Sequence, residues 1–197
     1  MRPNVKKIVV GACTFSAIAF LSSQALATTL SFMPSTLTID VNGTVNVDVV
    51  ISELGGSYVS AFEFDVNYDD TALTFNSYSL TGNLGDISLF EADDWSGGDL
   101  GFGSVNLVEL SYLWDLTSLQ DGTSMTLGTL SFTGAITGTS GLSFANVLIG
   151  DDIGGSLDVS LSSGVINVAS PVPEPATMIL LGTALAGLAG ARRRQKA

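Results

Sequence analysis

The middle of the chain has no positively charged side chain. The sequence has 197 residues and seven Lys and Arg side chains, all of which lie at residues 2–7 or 192–196. Of the 19 Asp and Glu side chains, all except Glu174 lie between Asp40 and Asp158. Binding of nucleic acid requires Lys or Arg to neutralise phosphate, so nucleic acid is excluded as a partner of this middle region. Because the middle region has no Lys, Arg or His, an ion pair between its own side chains is also excluded.

The residues of most catalytic centres are also missing. The sequence has no histidine and one cysteine, Cys13. A nucleophilic triad needs a His or Lys base, which the middle lacks, so acyl transfer is excluded. Zinc prefers His and Cys ligands and is disfavoured. A glycosidase with paired carboxylates stays open, because Glu63 and Glu109 supply suitable groups, but no pair stands out. The sequence therefore predicts a protein that is not an enzyme.

The first 27 residues have the three parts of a secretory signal peptide. A cationic start is followed by an apolar run over residues 8–21 and by small residues that end at Ala27. This pattern predicts a signal helix that signal peptidase removes after Ala27. A membrane-spanning helix would need a longer apolar run. Lipidation of Cys13 is the other alternative, but few apolar residues separate this cysteine from Lys7.

The C-terminal segment, residues 171–197, contains three further signals. The sequence Val172-Pro173-Glu174-Pro175 is followed by an apolar run over residues 176–191 and by Arg192, Arg193 and Arg194. The prolines keep their segment extended, which suits recognition by a processing enzyme. A helix over the apolar run would be about 24 Å long, and arginines that reach toward the interface would help it to span a bilayer. We therefore predict a transmembrane helix with its basic anchor in the cytoplasm and the acidic body outside.

This combination resembles the PEP-CTERM sorting signal of Gram-negative bacteria that make exopolysaccharide. The resemblance implies that an exosortase recognises Val172, Pro173, Glu174 and Pro175 and cleaves the chain near them. The helix over residues 176–191 would then be a transient anchor in the inner membrane. The implied location of the mature protein is secreted or at the cell surface.

Residues 28–170 show short strands rather than helices. No long segment before Ala176 has an apolar period of 3.6 residues. A strand that ends at Val41 is followed by Asn42-Gly43, which is typical of a hairpin turn, and a change of phase at Gly128-Thr129 predicts a β-bulge. Eight to ten strands separated by turn residues predict one β-sandwich domain of about nine strands.

One of these strands is especially regular. Phe62, Phe64, Val66 and Tyr68 form an apolar stripe, and Glu63, Asp65 and Asn67 point the other way. A second stripe, formed by Val108, Leu110, Tyr112 and Trp114, is expected to face the core.

The body resembles cohesin domains. The sequence VSAFEFDVNYDDTALTF at residues 59–75 is similar to the third-strand region of that family, and residues 119–132 and 141–168 are similar to its later strands. The resemblance implies a non-catalytic jelly-roll β-sandwich, related to carbohydrate-binding modules, that binds a protein partner through one sheet face. Glu63 falls at a position that is acidic and faces the dockerin partner in some members. Asp70 departs from the family, which usually has Pro after Tyr-Asp.

Two groups of residues are candidates for partner binding. Glu63, Asp65 and Asn67 form an acidic sheet face that would bind a protein. Trp95 lies between charged residues and glycines, where an exposed indole would stack on a sugar or fill a partner's pocket. The alternative for Trp95 is that its loop folds back and the indole covers the edge of the sandwich.

Calcium is the cofactor that the sequence suggests. Asp93, Asp94 and Asp99 lie in a Gly-rich segment, and Asp151 with Asp152 forms a second acidic turn. Flexible loops of this kind can collect the oxygen ligands that Ca²⁺ prefers. Charge that merely increases solubility is the alternative for both segments.

These features predict a secreted, exosortase-processed and non-catalytic module of the extracellular or exopolysaccharide matrix. The first interpretation is cohesin-like adhesion between proteins. The alternative is a carbohydrate-binding module that recognises a polysaccharide. An extracellular protein and a polysaccharide are thus the two candidate partners.

Overall fold

The computed structural model describes residues 27–170 and Thr183. Most of the predicted signal helix and of the transmembrane sorting helix therefore lies outside the described residues. In the described part, no helix has both the length and the apolar character needed to cross a membrane. The buried hydrophobic core and both sheets lie within residues 28–170. Because this segment contains a complete core, it has the properties of a unit that folds on its own.

The described chain is an all-β sandwich of twelve strands. The strands are β1 Thr28–Met33, β2 Thr36–Asp40, β3 Thr44–Ser52, β4 Val59–Asn67, β5 Leu73–Leu80, β6 Ala92–Asp94, β7 Gly98–Gly101, β8 Ser104–Ser111, β9 Ser124–Gly134, β10 Gly138–Asp151, β11 Val159–Leu161 and β12 Gly164–Ala169. The predicted number of about nine strands was too low. Strands β6, β7 and β11 have only three or four residues each, which is too short for a pattern of alternation to be visible.

The strands form two packed sheets. A five-stranded sheet has the order β11-β1-β3-β9-β5, and a seven-stranded sheet has the order β2-β12-β10-β4-β8-β6, with β7 also paired to β8. Aromatic rings join the two layers. The rings of Phe32 in β1 and Phe144 in β10 are stacked with their centroids 4.2 Å apart, and Tyr68 contacts the edge of Phe132 at 5.2 Å.

The turn at Asn42-Gly43 forms as predicted, but the hairpin does not. Asn42 has a φ of 66°, and the amide of Gly43 donates to the carbonyl oxygen of Asp40 at 2.8 Å. The strands on either side belong to different sheets, since β2 pairs with β12 and β3 pairs with β1 and β9. The reason is a pair of backbone hydrogen bonds that hold the turn against Gly134 at the end of β9. The turn therefore carries the chain from one sheet to the other.

The predicted bulge in β9 is confirmed. Val49 of β3 lies opposite Gly128, whereas the next residue, Val50, lies opposite Thr126. Leu127 is the additional residue on β9. The bulge lets the strand keep apolar side chains inside on both sides of the change of phase, and Leu127 and Leu130 are both fully buried.

Strand β4 has the orientation predicted from its sequence, but β8 has the opposite one. Phe62, Phe64 and Val66 are buried. In β8 the buried residues are Val105, Leu107 and Glu109, whereas Val108, Leu110 and Tyr112 lie on the outer side and Trp114 is 103% exposed. Apolar residues occupy both phases of β8, so alternation could not select a side. The register with β4, in which Phe64 faces Leu107, decides it.

Candidate functional site

The outward side of β10, β4 and β8 forms an open surface, which we call the outer face. Leu148, Glu63 and Val108 lie in register across the three strands. Ala61 and Leu110 form the next row. Leu148 is 57% exposed and Glu63 is exposed. The outer face therefore presents a carboxylate surrounded by apolar side chains.

Asp65 lies on the same face and is held from both sides. The amide nitrogen of Asn106 in β8 donates to one carboxylate oxygen at 2.8 Å, and that of Asn146 in β10 donates to the other at 2.5 Å. Asn106 also accepts a hydrogen bond from the amide of Gly97 at 2.9 Å. Both donors to Asp65 are neutral, so its negative charge is oriented but not cancelled.

A bulge in β10 brings Asn146 to Asp65. The register slips between Ala145 and Leu148, and Asn146 has a left-handed φ of 51°, which asparagine adopts more readily than most residues. The predicted residues Glu63, Asp65 and Asn67 thus share one face. Asn106, Asn146 and Leu148 complete it, and they were missed because only the pairing of β4 with its neighbours brings them there.

The segment around Asp93 and Asp94 is a strand, not the loop that the sequence predicted. The hydroxyl of Tyr112 donates to Asp93 at 2.8 Å, and the hydroxyl of Tyr78 in the other sheet donates to Asp94 at 2.9 Å. The hydrogen bond to Asp93 raises the pKa of Tyr112. Burial and then the bond to Asp94 raise the pKa of Tyr78. These contacts tie the short edge strand β6 to both sheets.

The predicted calcium ligands are not assembled into a site. Among residues 27–170 and Thr183, no group of three or more His, Cys, Asp and Glu side chains is arranged to hold a metal ion. Asp99 accepts from the amide of Gly101 at 2.9 Å, and Asp151 accepts from the amide of Ile153 at 3.1 Å. Each carboxylate thus stabilises its own turn. Asp152 is exposed beside Asp151.

Glu109 has an environment that the sequence did not reveal. Its side chain is 0% exposed, and neither carboxylate oxygen has a hydrogen-bond partner. It lies opposite Phe62 of β4 and Asp94 of β6. Burial, and next the negative charge of Asp94, raises the pKa of Glu109 to about 8. The sequence signal for this residue is the alternation in β8. If Val105 and Leu107 face the core, Glu109 must face it too, because it continues the same alternation.

Glu109 has the raised pKa of a general acid, but its carboxyl group is not accessible to a substrate. A glycosidase acid must contact the leaving oxygen of its substrate. Because Glu109 has no exposed surface, a polysaccharide cannot reach its carboxyl group in this structure. Glu109 and Asp94 therefore do not form an accessible catalytic pair in this structure.

Trp95 projects from the edge of the seven-stranded sheet. Its backbone amide donates to the carbonyl oxygen of Val108 at 2.9 Å, and its side chain is 65% exposed. The indole therefore does not cover the edge of the sandwich. Phe90, Phe102 and Trp114 are exposed as well, although the sequence pattern indicated an exposed aromatic side chain only at Trp95.

The predicted processing residues lie at the margins of the described part. Ala27 is exposed and comes directly before β1, whose first residue, Thr28, pairs with Val159. Val172, Pro173, Glu174 and Pro175 lie outside the described residues, as do Arg192, Arg193 and Arg194. Residues 171–194 match the family model of the PEP-CTERM protein-sorting motif. The chain carries a PEP-CTERM sorting motif. Such a motif suggests a secreted or cell-surface protein.

The body has a cohesin-like fold. It is similar to the sixth cohesin of scaffoldin B from Acetivibrio cellulolyticus, solved in complex with a Cel5 dockerin mutant, with a TM-score of 0.60 and 19% identity over 73% of this chain and 100% of that one. A type I cohesin from Clostridium thermocellum, also solved with a dockerin, gives 0.61 and 10% over 73% and 100%. A non-cellulosomal cohesin from the archaeon Archaeoglobus fulgidus gives 0.54 and 14% over 74% and 93%. No curated protein sequence matches the chain.

Proposed function

We propose that the chain is a secreted, non-catalytic adhesion module that binds a protein partner through the outer face. The observation that carries this proposal is the arrangement around Asp65, whose carboxylate is fixed by Asn106 and Asn146 beside the exposed Leu148 and Glu63. An oriented charge next to exposed apolar side chains is typical of a specific protein interface. The cohesins solved with dockerins have the same fold and bind a protein, which supports this function.

Processing at both ends would deliver this module to the extracellular matrix. Signal peptidase would cleave after Ala27, so that the mature chain begins at β1. An exosortase would recognise Val172 to Pro175, while the helix over residues 176–191 and the arginines at 192–194 hold the chain in the inner membrane. After release, residues 28–170 would act as an adhesive or structural unit of the exopolysaccharide matrix.

The test of the adhesion function is capture by the immobilised segment 28–170. Extracellular matrix of the producing bacterium is passed over it, and the retained proteins are identified by mass spectrometry. Replacing Glu63, Asp65 and Asn67 together by Ala is expected to abolish capture, because it removes the charges and the polar edge of the outer face.

A matched control removes the same kinds of groups from the other sheet. The control variant replaces three residues that lie in or next to the five-stranded sheet by Ala, namely Asn46, Asp48 and Asp158. This control protein should retain its partners at the wild-type level. Unaltered capture by the variant in Glu63, Asp65 and Asn67 would rule out the outer face as the binding surface.

Polysaccharide recognition is the second candidate function, and the exposure of Trp95 favours it. An indole that is 65% exposed can stack on a sugar ring. Trp95→Ala is expected to weaken binding to the host polysaccharide at least tenfold in affinity electrophoresis. Trp114→Ala removes another indole, which is 103% exposed, and is the control. Equal affinities of Trp95→Ala and the wild type would exclude this site.

A further inference from the structure

A cleft lies at the end of the sandwich, next to the outer face. Its volume is about 190 Å³, and its lining includes Tyr68, Asp70, Phe75, Asp99 and Phe102. Its position follows from the register, because Asn67 and Ser104 are paired at the end of the outer face and the next residues along the chain reach the cleft. A partner that covers the outer face could therefore extend a side chain into it.

The turn between β7 and β8 forms one rim of the cleft. Gly101, Phe102 and Gly103 have φ values of 78°, 54° and 73°. The carbonyl oxygen of Gly103 accepts a hydrogen bond from the amide of Tyr68 at 2.8 Å. Phe102 is fully exposed in a backbone conformation that bulky residues rarely adopt. The fold thus holds an aromatic ring in water at the rim of the cleft.

The charge of the cleft is negative and uncompensated. Burial raises the pKa of the Tyr68 hydroxyl, and the charges of Asp99 and Asp70 raise it further. Both carboxylates therefore act on the same phenol. Residues 27–170 contain no Lys, Arg or His, so no side chain within this segment can neutralise them.

These features together select a cationic ligand. A positive charge at the cleft would be attracted by two carboxylates, and the rings of Tyr68, Phe75 and Phe102 in the lining can add cation–π attraction. A neutral sugar would donate hydroxyl hydrogen bonds to the carboxylates but would gain no attraction between net charges, and an anion would be repelled. The combination of aromatic rings and carboxylates around one opening is the chemistry that recognises an ammonium or guanidinium group.

We propose that this cleft receives a lysine or arginine side chain of the protein that binds to the outer face. The source of the side chain rests on the proposed adhesion function, whereas the affinity of the cleft for a cation does not. Segment 28–170 has no cation of its own, so in the processed protein the cation would come from another molecule.

The experiment is an NMR titration of segment 28–170 at low ionic strength with N-acetyl-lysine N-methylamide. The neutral analogue N-acetyl-norleucine N-methylamide is the matched probe. The lysine compound is expected to shift the amide signals of Tyr68, Phe102 and Gly103 in a saturable manner, and the norleucine compound is not. Equal responses to the two compounds, or shifts spread over the whole surface, would overturn the proposal.

Two double variants with the same net charge test whether the lysine compound binds at the cleft. Asp70→Asn with Asp99→Asn is expected to weaken binding of the lysine compound at least fivefold. Asp152→Asn with Asp158→Asn removes two exposed carboxylates elsewhere and should change the affinity less than twofold. A similar loss in both would show that only net charge matters and would also contradict the proposal.

The titration uses no protein partner, so it separates the two proposals. If the lysine compound binds the cleft but the outer-face variant captures normally, the proposed adhesion surface is wrong, and the proposal that the cleft binds a cation is supported. If capture depends on the outer face but the lysine compound does not bind, the cleft proposal fails alone.

Discussion

Glu109→Gln is expected to remove most of the pH dependence of stability between about pH 5 and pH 8. In the folded protein burial raises the pKa of Glu109 from 4.5 to about 8. The unfolded chain loses this proton near pH 4.5 and the folded chain only near pH 8, so the unfolded state binds fewer protons between these values. The free energy of unfolding of the wild type therefore falls as the pH rises through this window, and the whole loss is reached above about pH 8.

The expected size of this loss is large for a domain of this length. A pKa shift of this extent corresponds to at most ~5 kcal/mol, since each unit is worth about 1.4 kcal/mol. Opening of the three-residue strand β6 would let water reach Glu109 and reduce the value. Below pH 4.5 the carboxyl group is neutral in both states, so the loss is absent there.

The other groups with shifted pKa values titrate outside this window. Hydrogen bonds from the hydroxyl and amide of the residue two positions ahead lower the pKa values of Asp69, Asp86, Asp115 and Asp121. Their stabilising contribution is therefore present above the ordinary pKa of 3.8 and is lost as the pH falls through their folded pKa values. The raised pKa values of Tyr68, Tyr78 and Tyr112 concern pH values above 10.

Urea unfolding at pH 5, 7 and 9 measures this effect. The wild type should lose stability from pH 5 to pH 9, and Glu109→Gln should be nearly flat and more stable than the wild type at pH 9. Glu63→Gln removes an exposed carboxylate from the neighbouring strand and should keep the wild-type slope. A flat wild-type curve, or an equal flattening in Glu63→Gln, would contradict the assignment.

Gly103→Ala is expected to destabilise the protein much more than Gly101→Ala. Both glycines have a positive φ, 73° and 78°, so alanine costs about 1–2 kcal/mol of backbone strain at either position. At Gly101 a methyl group would have no neighbour within 4 Å. At Gly103 it would overlap the carbonyl oxygen of Tyr68, the residue whose amide bonds back to Gly103.

The pair of variants isolates the steric conflict, because the backbone strain is shared. We expect about 1–2 kcal/mol of destabilisation for Gly101→Ala and roughly 4 kcal/mol or more for Gly103→Ala, a size that mutations reach through buried strain or overpacking. Thermal or urea unfolding measures both. Similar losses in the two variants would mean that Gly103 is needed only for its φ and not for the contact with Tyr68.

The β-class of the body and the orientation of β4 could be predicted from local patterns. Phe62, Phe64 and Val66 alternate strictly with Glu63, Asp65 and Asn67, and one face of a sheet must be buried, so a single orientation satisfies the pattern. The bulge at Leu127 followed from the same rule. The PEP-CTERM motif was also readable, because such a signal is recognised as a linear sequence.

Local patterns failed where two interpretations had equal local support. In β8 both Val105 with Leu107 and Val108 with Leu110 offer an apolar phase, and only pairing with β4 decides that Glu109 is buried and Trp114 exposed. The turn at Asn42-Gly43 has the chemistry of a hairpin, yet its hydrogen bonds with Gly134 send the next strand to the other sheet.

The sequence by itself determined the composition of charge, the strand-rich body and the sorting motif of this protein, because each depends on residue types and on neighbours along the chain. The tertiary structure alone decided which side chains meet. Asp65 lies between Asn106 and Asn146, and Asp70 shares a cleft with Asp99, through pairings of strands far apart in sequence. Such contacts depend on register and on the packing of two sheets, which no short segment encodes.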